Sequence, residues 1–335
     1  MAAATTCWAI SDGAAGNARQ ALALARALGL AAQPMDVVLR EPWDLLAPRL
    51  VLGSAGAIRR RDGRALQPPW PDLAIGCGRR AALVTRQLRA WSEGRTYAVQ
   101  ILDPRIASDA FDLVIAPQHD HVDGANVISS IGALNPVDPP WLAEGRARFA
   151  GLAACPSPRT TVLVGGSNRA QTLDDAYFDG LLERLLAWHD ADGGSFLVSV
   201  SRRTPAPLAA RLRTRFAAMP GRFWGGIADG ENPYAGFLAH ADRIVVTPDS
   251  VNMISEACAT GRPVYTWAAR PIRGKLAAFH AELVGSGHLR RLGDTDARPQ
   301  PPPLAETAAI AELVRLRWQA ARRVPPGTLQ GGHAA

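Results

Sequence analysis

The chain has 335 residues, 47% of them hydrophobic and 20% charged, with a formal net charge of +7. That length suffices for two domains with their own cores, and the composition excludes a predominantly disordered chain. The positive charge favours anionic partners such as phosphorylated metabolites or acidic lipid headgroups. Nucleic acid is not expected, because the arginines are spread along the chain instead of forming a basic stripe with aromatics.

Cys7, Cys77, Cys155 and Cys258 show neither CxxC nor zinc spacing, which fits a reducing compartment. No apolar run reaches membrane-spanning length, and the first residues lack the basic end and apolar core of a signal peptide, so a cytoplasmic protein is expected.

In chain order, Trp8 to Ile10 reads as a strand leading into Ser11–Asn17 and a helix from about Ala18 to Leu28 that Gly29 stops. Leu73 to Ile75 leads to Gly76-Cys77-Gly78-Arg79-Arg80 and a helix through Leu88. Tyr97 to Leu102 ends at Asp103-Pro104-Arg105, and Phe111 to Ala116 ends at Pro117-Gln118-His119-Asp120. After the proline passage Ala154–Pro158 the pattern restarts. Thr161 to Val164 leads to Gly165-Gly166-Ser167 and a helix from about Asp174 to His189, and Phe196 to Val200 leads to Ser201-Arg202-Arg203-Thr204-Pro205. Strands alternating with helices predict mostly parallel sheets whose ligands bind beyond the strands' carboxyl ends. Two α/β domains are expected, residues 1–155 and 156–303. A terminal amphipathic helix, 304–323, is expected to pack back on the first; its basic end around Trp318 offers a membrane contact as the less common alternative.

The most informative stretch is Thr247 to Val264, which reads as strand end, polar turn, helix, glycine stop and second strand. Asp249 and Ser250 both suit the N-cap of a helix from Val251 to about Thr260, and Gly261 ends it. The unpaired N–H groups there, with the hydroxyls of Thr247 and Ser250, make an anion site. Asn252 and Glu256 share a helix face, so Glu256 is placed to accept hydrogen bonds from a ribose diol; the plain alternative is a capped helix with a solvated carboxylate.

Other loops add to this. Asp12-Gly13 and Gly16-Asn17 make a flexible turn in which Asn17 caps the next helix, with Gln20 on the same face. Gly76 to Arg80 sets two guanidiniums before a helix, suiting a phosphate or carboxylate, or else forming a plain turn with solvated arginines. His119 beside Asp120 suits a general base, and the alternation of extended chain disfavours His119 and His121 sharing a metal. Gly166 and Ser167 can offer N–H groups to a phosphate, and Arg202 and Arg203 supply charge where a pyrophosphate would sit. GxGxxG, Walker and GxSxG motifs are absent, which argues against nicotinamide enzymes, P-loop NTPases and α/β-hydrolases.

Taken in order, Asp12-Gly-x-x-Gly-Asn17 with Gln20, Gly76–Arg80, His119-Asp120, Ser201–Pro205, Asn232-Pro233-Tyr234 and Thr247-x-Asp249-Ser250-Val251-Asn252-Met253-x-Ser255-Glu256-Ala257 with Thr260-Gly261 closely resemble the mitochondrial fission Elm-one-like family over almost the whole chain. That family is similar to GT-B glycosyltransferases, which implies an α/β fold of two Rossmann-like domains facing across a cleft. The resemblance implies a donor side of Gly166, Ser167, Arg202, Arg203, Thr247, Ser250, Asn252 and Glu256. It implies an acceptor side of Gly13, Asn17, Gln20 and Arg79, with Asp12, His119 or Asp120 taking the acceptor's proton. The implied activity is metal-independent transfer of a sugar from a nucleotide diphosphate, a substrate and not a cofactor, to an envelope or other glycoconjugate. The alternative is a non-catalytic, membrane-associated adaptor on the same scaffold. Either reading admits peripheral contact with the inner face of the membrane.

Overall fold

The computed structural model describes residues 5–294 and 299–323. The chain forms two compact units. The first takes residues up to Ser130, Leu134–Pro136 and the chain from Glu306; the second takes Ile131–Ala133 and Val137–Ala305.

The first unit runs β1 (Cys7–Ser11), α1 (Ala15–Ala27), β2 (Ala32–Leu39), α2 (Trp43–Leu46), α3 (Ser54–Ala57), β3 (Ile58–Arg60), β4 (Leu73–Cys77), α4 (Arg79–Trp91), β5 (Tyr97–Ile101), β6 (Leu113–Pro117) and β7 (Val127–Ser130). The sheet order is β3-β2-β1-β4-β5-β6-β7, parallel except where β3 runs antiparallel to β2. Every residue of β4 and β5 is buried, which is why these strands read as continuous apolar runs and not as alternating ones. Alternate residues serve opposite faces. Cys7, Ala9, Leu73 and Ile75 pack with Leu24 and Ala25 of α1, while Ile10, Met35 and Ala74 pack with Leu83, Val84 and Leu88 of α4.

The second unit contains α5 (Pro139–Arg148), β8 (Arg159–Val164), α6 (Asp175–Asp192), β9 (Ser195–Val200), α7 (Ala206–Phe216), β10 (Gly221–Trp224), α8 (Tyr234–His240), β11 (Arg243–Val246), α9 (Val251–Cys258), β12 (Val264–Thr266), α10 (Gly274–Gly285) and β13 (Arg290–Arg291). Its sheet is wholly parallel in the order β10-β9-β8-β11-β12-β13. In each sheet the chain fills one side and then the other, so the strand order reverses between β1 and β4 and again between β8 and β11. Those two reversals are where an open α/β sheet leaves a crevice for ligands.

The units divide near residue 137, earlier than the expected 155, because α5 belongs to the second core. A Cβ on Gly145 would lie 2.8 Å from the Ala235 carbonyl oxygen, and Arg146 Nη2 donates to the Ala239 carbonyl at 2.6 Å. The proline passage only leads into β8. Helix α11 (Glu306–Arg323) belongs to the first unit, where Ile310, Ala311, Val314 and Trp318 join the α1 face of the core. Trp318 is 8% exposed and lies 6.5 Å from the Tyr97 ring, so the aromatic proposed for a membrane contact is inside. Among the described residues, no helix is long and apolar enough to cross a membrane.

Candidate functional site

Because β9, β8 and β11 are neighbours, the loops at their carboxyl ends gather at the second unit's strand-order reversal. Asp249 is the hub, its side chain fully buried. Its Oδ1 accepts from Thr247 Oγ1 at 2.6 Å, and its Oδ2 accepts from the Gly166 N–H at 3.2 Å and Arg203 Nη2 at 2.5 Å. Thr247 Oγ1 in turn accepts from the Gly165 N–H at 2.8 Å. Arg203 Nη1 donates to the Gly166 carbonyl at 3.0 Å, and Thr204 Oγ1 to the Gly165 carbonyl at 2.5 Å. The two glycines are required by this closeness. A Cβ on Gly165 would sit 2.2 Å from both Asp249 carboxylate oxygens, and one on Gly166 2.3 Å from the Arg203 carbonyl oxygen.

This arrangement corrects two readings of the sequence. The N–H group of Gly166, expected to be open to a phosphate, is bonded to Asp249, and the Thr247 hydroxyl is spent on Asp249 and Gly165. Asp249 is not the N-cap of α9; Ser250 is, its Oγ accepting from the Met253 N–H at 3.4 Å. Sequence reasoning missed Asp249 as a clamp, although its place two residues after Thr247 was a signal. The groups left at the surface are Arg202 and, with its side chain 46% exposed, Arg203; Ser167 is exposed too, but its Oγ accepts from the Leu173 N–H at 2.9 Å and donates to the Leu173 carbonyl at 3.3 Å. The arginines differ: Arg203 is neutralised by Asp249, whereas Arg202 makes no ion pair among the described residues.

Glu256 is also not as expected. It is 1% exposed, neither solvated nor open to a ribose in this state, and its Oε2 accepts from the Tyr234 hydroxyl. Asn252, one turn earlier, is half-buried. Under the turn that precedes α9, the buried His280 donates from Nε2 to the Pro248 carbonyl at 2.9 Å. Burial holds its imidazole below the ordinary value, outweighing the opposing pull of that carbonyl and of Asp249, so the neutral ring is favoured.

In the first unit, the reversal between β1 and β4 gathers Asp12, Gly13, Asn17 and Gly78. Asp12 Oδ1 accepts from the Ala14 N–H and from Asn17 Nδ2, both at 3.1 Å. Asn17 therefore does not cap α1, which starts earlier, at Ala15; it braces the turn, and its Oδ1 accepts from Cys77 Sγ at 3.7 Å. Gly78, at φ +88°, must lack a side chain because a Cβ would meet Asn17 Nδ2 at 2.6 Å. Gln20 is buried. Burial pushes the Cys77 thiol far above its usual range, so this sulfur is structural. Arg61, which the sequence reading passed over, lies across Gly13 and donates to the Asp12 carbonyl at 3.1 Å.

Arg79 and Arg80 are not offered to a ligand. Arg79 donates to the backbone carbonyls of Asp44, Leu45 and Ala47, and Arg80 grips both Asp44 carboxylate oxygens, at 2.5 and 2.6 Å. These contacts hold the Asp44 carboxyl below its ordinary pKa. His119 and Asp120 lie in a 3-10 turn, Gln118–Asp120, so the alternation argument of extended chain does not apply to them. Asp120 Oδ2 accepts from the Asp103 N–H at 3.4 Å. Three strand intervals separate the end of β6 from that of β1, roughly 14 Å at normal sheet spacing, so Asp12 and the His119-Asp120 pair are two separate candidates for a base and not one cluster.

Comparison with known proteins follows the same lines. An Arabidopsis thaliana protein, Mitochondrial fission protein ELM1, is 30% identical over 281 residues, which cover 73% of this chain and 63% of that protein. The chain thus spans less than two thirds of that relative's length. A Rickettsia prowazekii protein is 26% identical over 357 aligned positions, covering 92% of this chain and 97% of the relative. Among solved structures, the UDP-GlcNAc 2-epimerase of Methanocaldococcus jannaschii aligns with a TM-score of 0.53 at 12% identity, over 93% of this chain and 98% of that one. Os79 from O. sativa, solved with UDP, aligns with a TM-score of 0.51 at 15% identity, over 95% and 94%. These likenesses show the fold, two Rossmann-like units of GT-B type. The family pattern described as Mitochondrial fission ELM1 matches residues 15–318, and the chain belongs to that family.

Proposed function

We propose that this protein is a GT-B-type glycosyltransferase that binds a nucleotide-diphosphate sugar on its second unit and passes the sugar to an acceptor, a glycoconjugate of the cell envelope or similar. The observation that carries this reading is the convergence of three strand-end loops on Asp249 at the reversal between β8 and β11, with Arg202 and Arg203 at its surface. The diphosphate is taken by Arg202, Arg203 and the first turn of α9, where fixed positive charge stabilises the departing anion. Glu256 and Tyr234 form the polar pair next along α9, and a ribose hydroxyl reaches that carboxylate by taking the place of the Tyr234 hydroxyl. In the first unit Asp12, His119 or Asp120 takes the acceptor's proton. Since Os79 was solved with UDP, UDP is the first ligand to test.

The experiment is calorimetric titration with UDP and UDP-sugars, followed by turnover once an acceptor is found. Arg202→Ala should weaken binding about ten-fold, the lower end for a hydrogen bond to a charged group because the side chain is solvated. Alanine at the true base should keep donor affinity and lose about 10²–10⁴-fold in turnover. No binding of any nucleoside diphosphate would sink the proposal and favour the adaptor reading, which the fission role named for the Arabidopsis relative supports.

A further inference from the structure

We propose that the excursion between β2 and β3 is a docking surface for an anionic lipid bilayer. Scattered surface leucines need no explanation, but here Leu45, 76% exposed, and Leu52, 83% exposed, stand with exposed Leu46 on one short segment. They are held outward by a braced backbone. Trp43 Nε1 donates to the Leu52 carbonyl at 2.9 Å, tying the end of the excursion to its start. Gly53, at φ +71°, lies so close to the Trp43 ring that a Cβ would approach it to 3.0 Å. Arg79 holds the carbonyls of Asp44, Leu45 and Ala47, and Arg86 Nη1 reaches the Pro48 carbonyl at 3.4 Å.

The charge around these leucines selects the occupant. Residues 40–64 carry six arginines against three acidic residues. Of those acids, Asp44 is neutralised by Arg79 and Arg80, Asp62 pairs with Arg60 and Arg64, and Glu41 keeps its charge while accepting from the Leu45 N–H at 3.3 Å, so the segment stays net positive. Exposed Arg40 and Arg49 flank the leucines. Projecting apolar side chains flanked by two exposed guanidiniums match a fluid anionic surface, in which leucines enter the acyl boundary and arginines meet the headgroups. The excursion leaves β2 at the same carboxyl edge of the sheet as the Asp12-Gly13 loop, because β1 and β2 are parallel. The proposal does not depend on any sugar donor.

The test is co-sedimentation of the full chain with vesicles of phosphatidylcholine alone and with vesicles in which about a third of the lipid is phosphatidylglycerol. Binding should require phosphatidylglycerol and fall as salt rises. Leu45→Ser, Leu46→Ser and Leu52→Ser together should weaken it at least ~10-fold. Arg40→Gln with Arg49→Gln should weaken it roughly 25-fold, about five-fold for each basic group at the surface. These side chains are exposed, so the thermal transitions of the variants should match the parent and separate lost docking from lost folding. Failure to bind phosphatidylglycerol vesicles, or undiminished binding by the triple serine variant, overturns the proposal. So does loss of binding only on Leu313→Ser with Leu316→Ser in α11. A parent dimer that the leucine substitutions dissociate overturns it too, since a second copy would then cover the patch.

Discussion

Replacing Asp249 by asparagine tests whether the second unit's loops are held by one buried carboxylate. The substitution keeps the shape and lets Oδ1 still accept from Thr247, but it sets an amide donor against the Gly166 N–H and Arg203 Nη2. Two hydrogen bonds to a charged acceptor are lost, each worth about 1.5–3 kcal/mol. Arg203 keeps 46% of its side chain in solvent and rehydrates, which removes part of that cost. A net loss of about 2–4 kcal/mol is expected, short of the ~5–15 kcal/mol that holds a domain folded. For a unit of this size that corresponds to a fall of roughly 5–15 °C in its transition. The assay is scanning calorimetry with hydrogen exchange, and only the transition of the second unit should move. Protection should fall at Gly165 and Gly166, whose N–H groups bond to Thr247 and Asp249. On an Arg203→Ala background the cost of Asp249→Asn should shrink, because the repelled guanidinium is gone. An unchanged transition with unchanged exchange at both glycines would refute the reasoning.

Gly165→Ala should lower the same transition by about 2 kcal/mol or more, since its Cβ would fall 2.2 Å from both Asp249 oxygens and one loop must yield; calorimetry decides. Arg79→Ala should destabilise the first unit while leaving UDP affinity as it was, because Arg79 is spent on backbone carbonyls; paired calorimetric scans and titrations check this. As pH falls below about 6.5 the unfolded chain protonates His280 before the folded one does, so stability is full above that pH and drains below it toward the lowered folded value. His280→Gln should flatten that slope in urea titrations between about pH 7 and pH 5, leaving the part owed to His240, which burial also lowers.

The sheets were legible because their central strands are buried on both faces and so appear as short apolar runs ending in glycine or polar residues. β2 was not. It carries Gln33, Pro34 and Asp36 toward a sheet edge where only short β3 covers it, and its one apolar run, Val37-Val38-Leu39, leads into Arg40-Glu41-Pro42 and not into a long helix. The unit boundary was hidden for a different reason. Nothing local to α5 says which core it joins; that is decided by Gly145 meeting the Ala235 backbone, ninety residues away in sequence. Arg79 and Arg80 looked free because their partner Asp44 sits 35 residues earlier, on a segment with no periodic signal. Asp249 and Ser250 were indistinguishable as caps, being equally suitable types at adjacent positions, and only the turn into α9 sends one side chain inward and leaves the other to cap.

These internal bonds change how an anion must bind here. Thr247, Gly166 and Arg203 are types that a phosphate would seek, yet each already serves Asp249, itself an anion. A ligand that pulled them away would strand a carboxylate with no exposure to water, and each buried group left unsatisfied costs about 1–3 kcal/mol, more when charged. Exchange is therefore the poorer route. On the proposed function, a diphosphate gains more by adding to what remains open: Arg202, the solvent side of Arg203 and the first turn of α9, since the Ser167 hydroxyl is itself closed on the Leu173 N–H and carbonyl. Around Asp249 the buried members of the motif then set the shape, and on the proposed function the exposed members meet the diphosphate; Glu256 is the exception, because it gives up a neutral hydroxyl and strands no charge pair. The same split holds in the first unit, where Asn17 and Arg79 brace the loops while Asp12, His119 and Asp120 remain the candidates for chemistry. A residue's place in the motif thus does not assign it to the ligand; the bonds it already makes decide that.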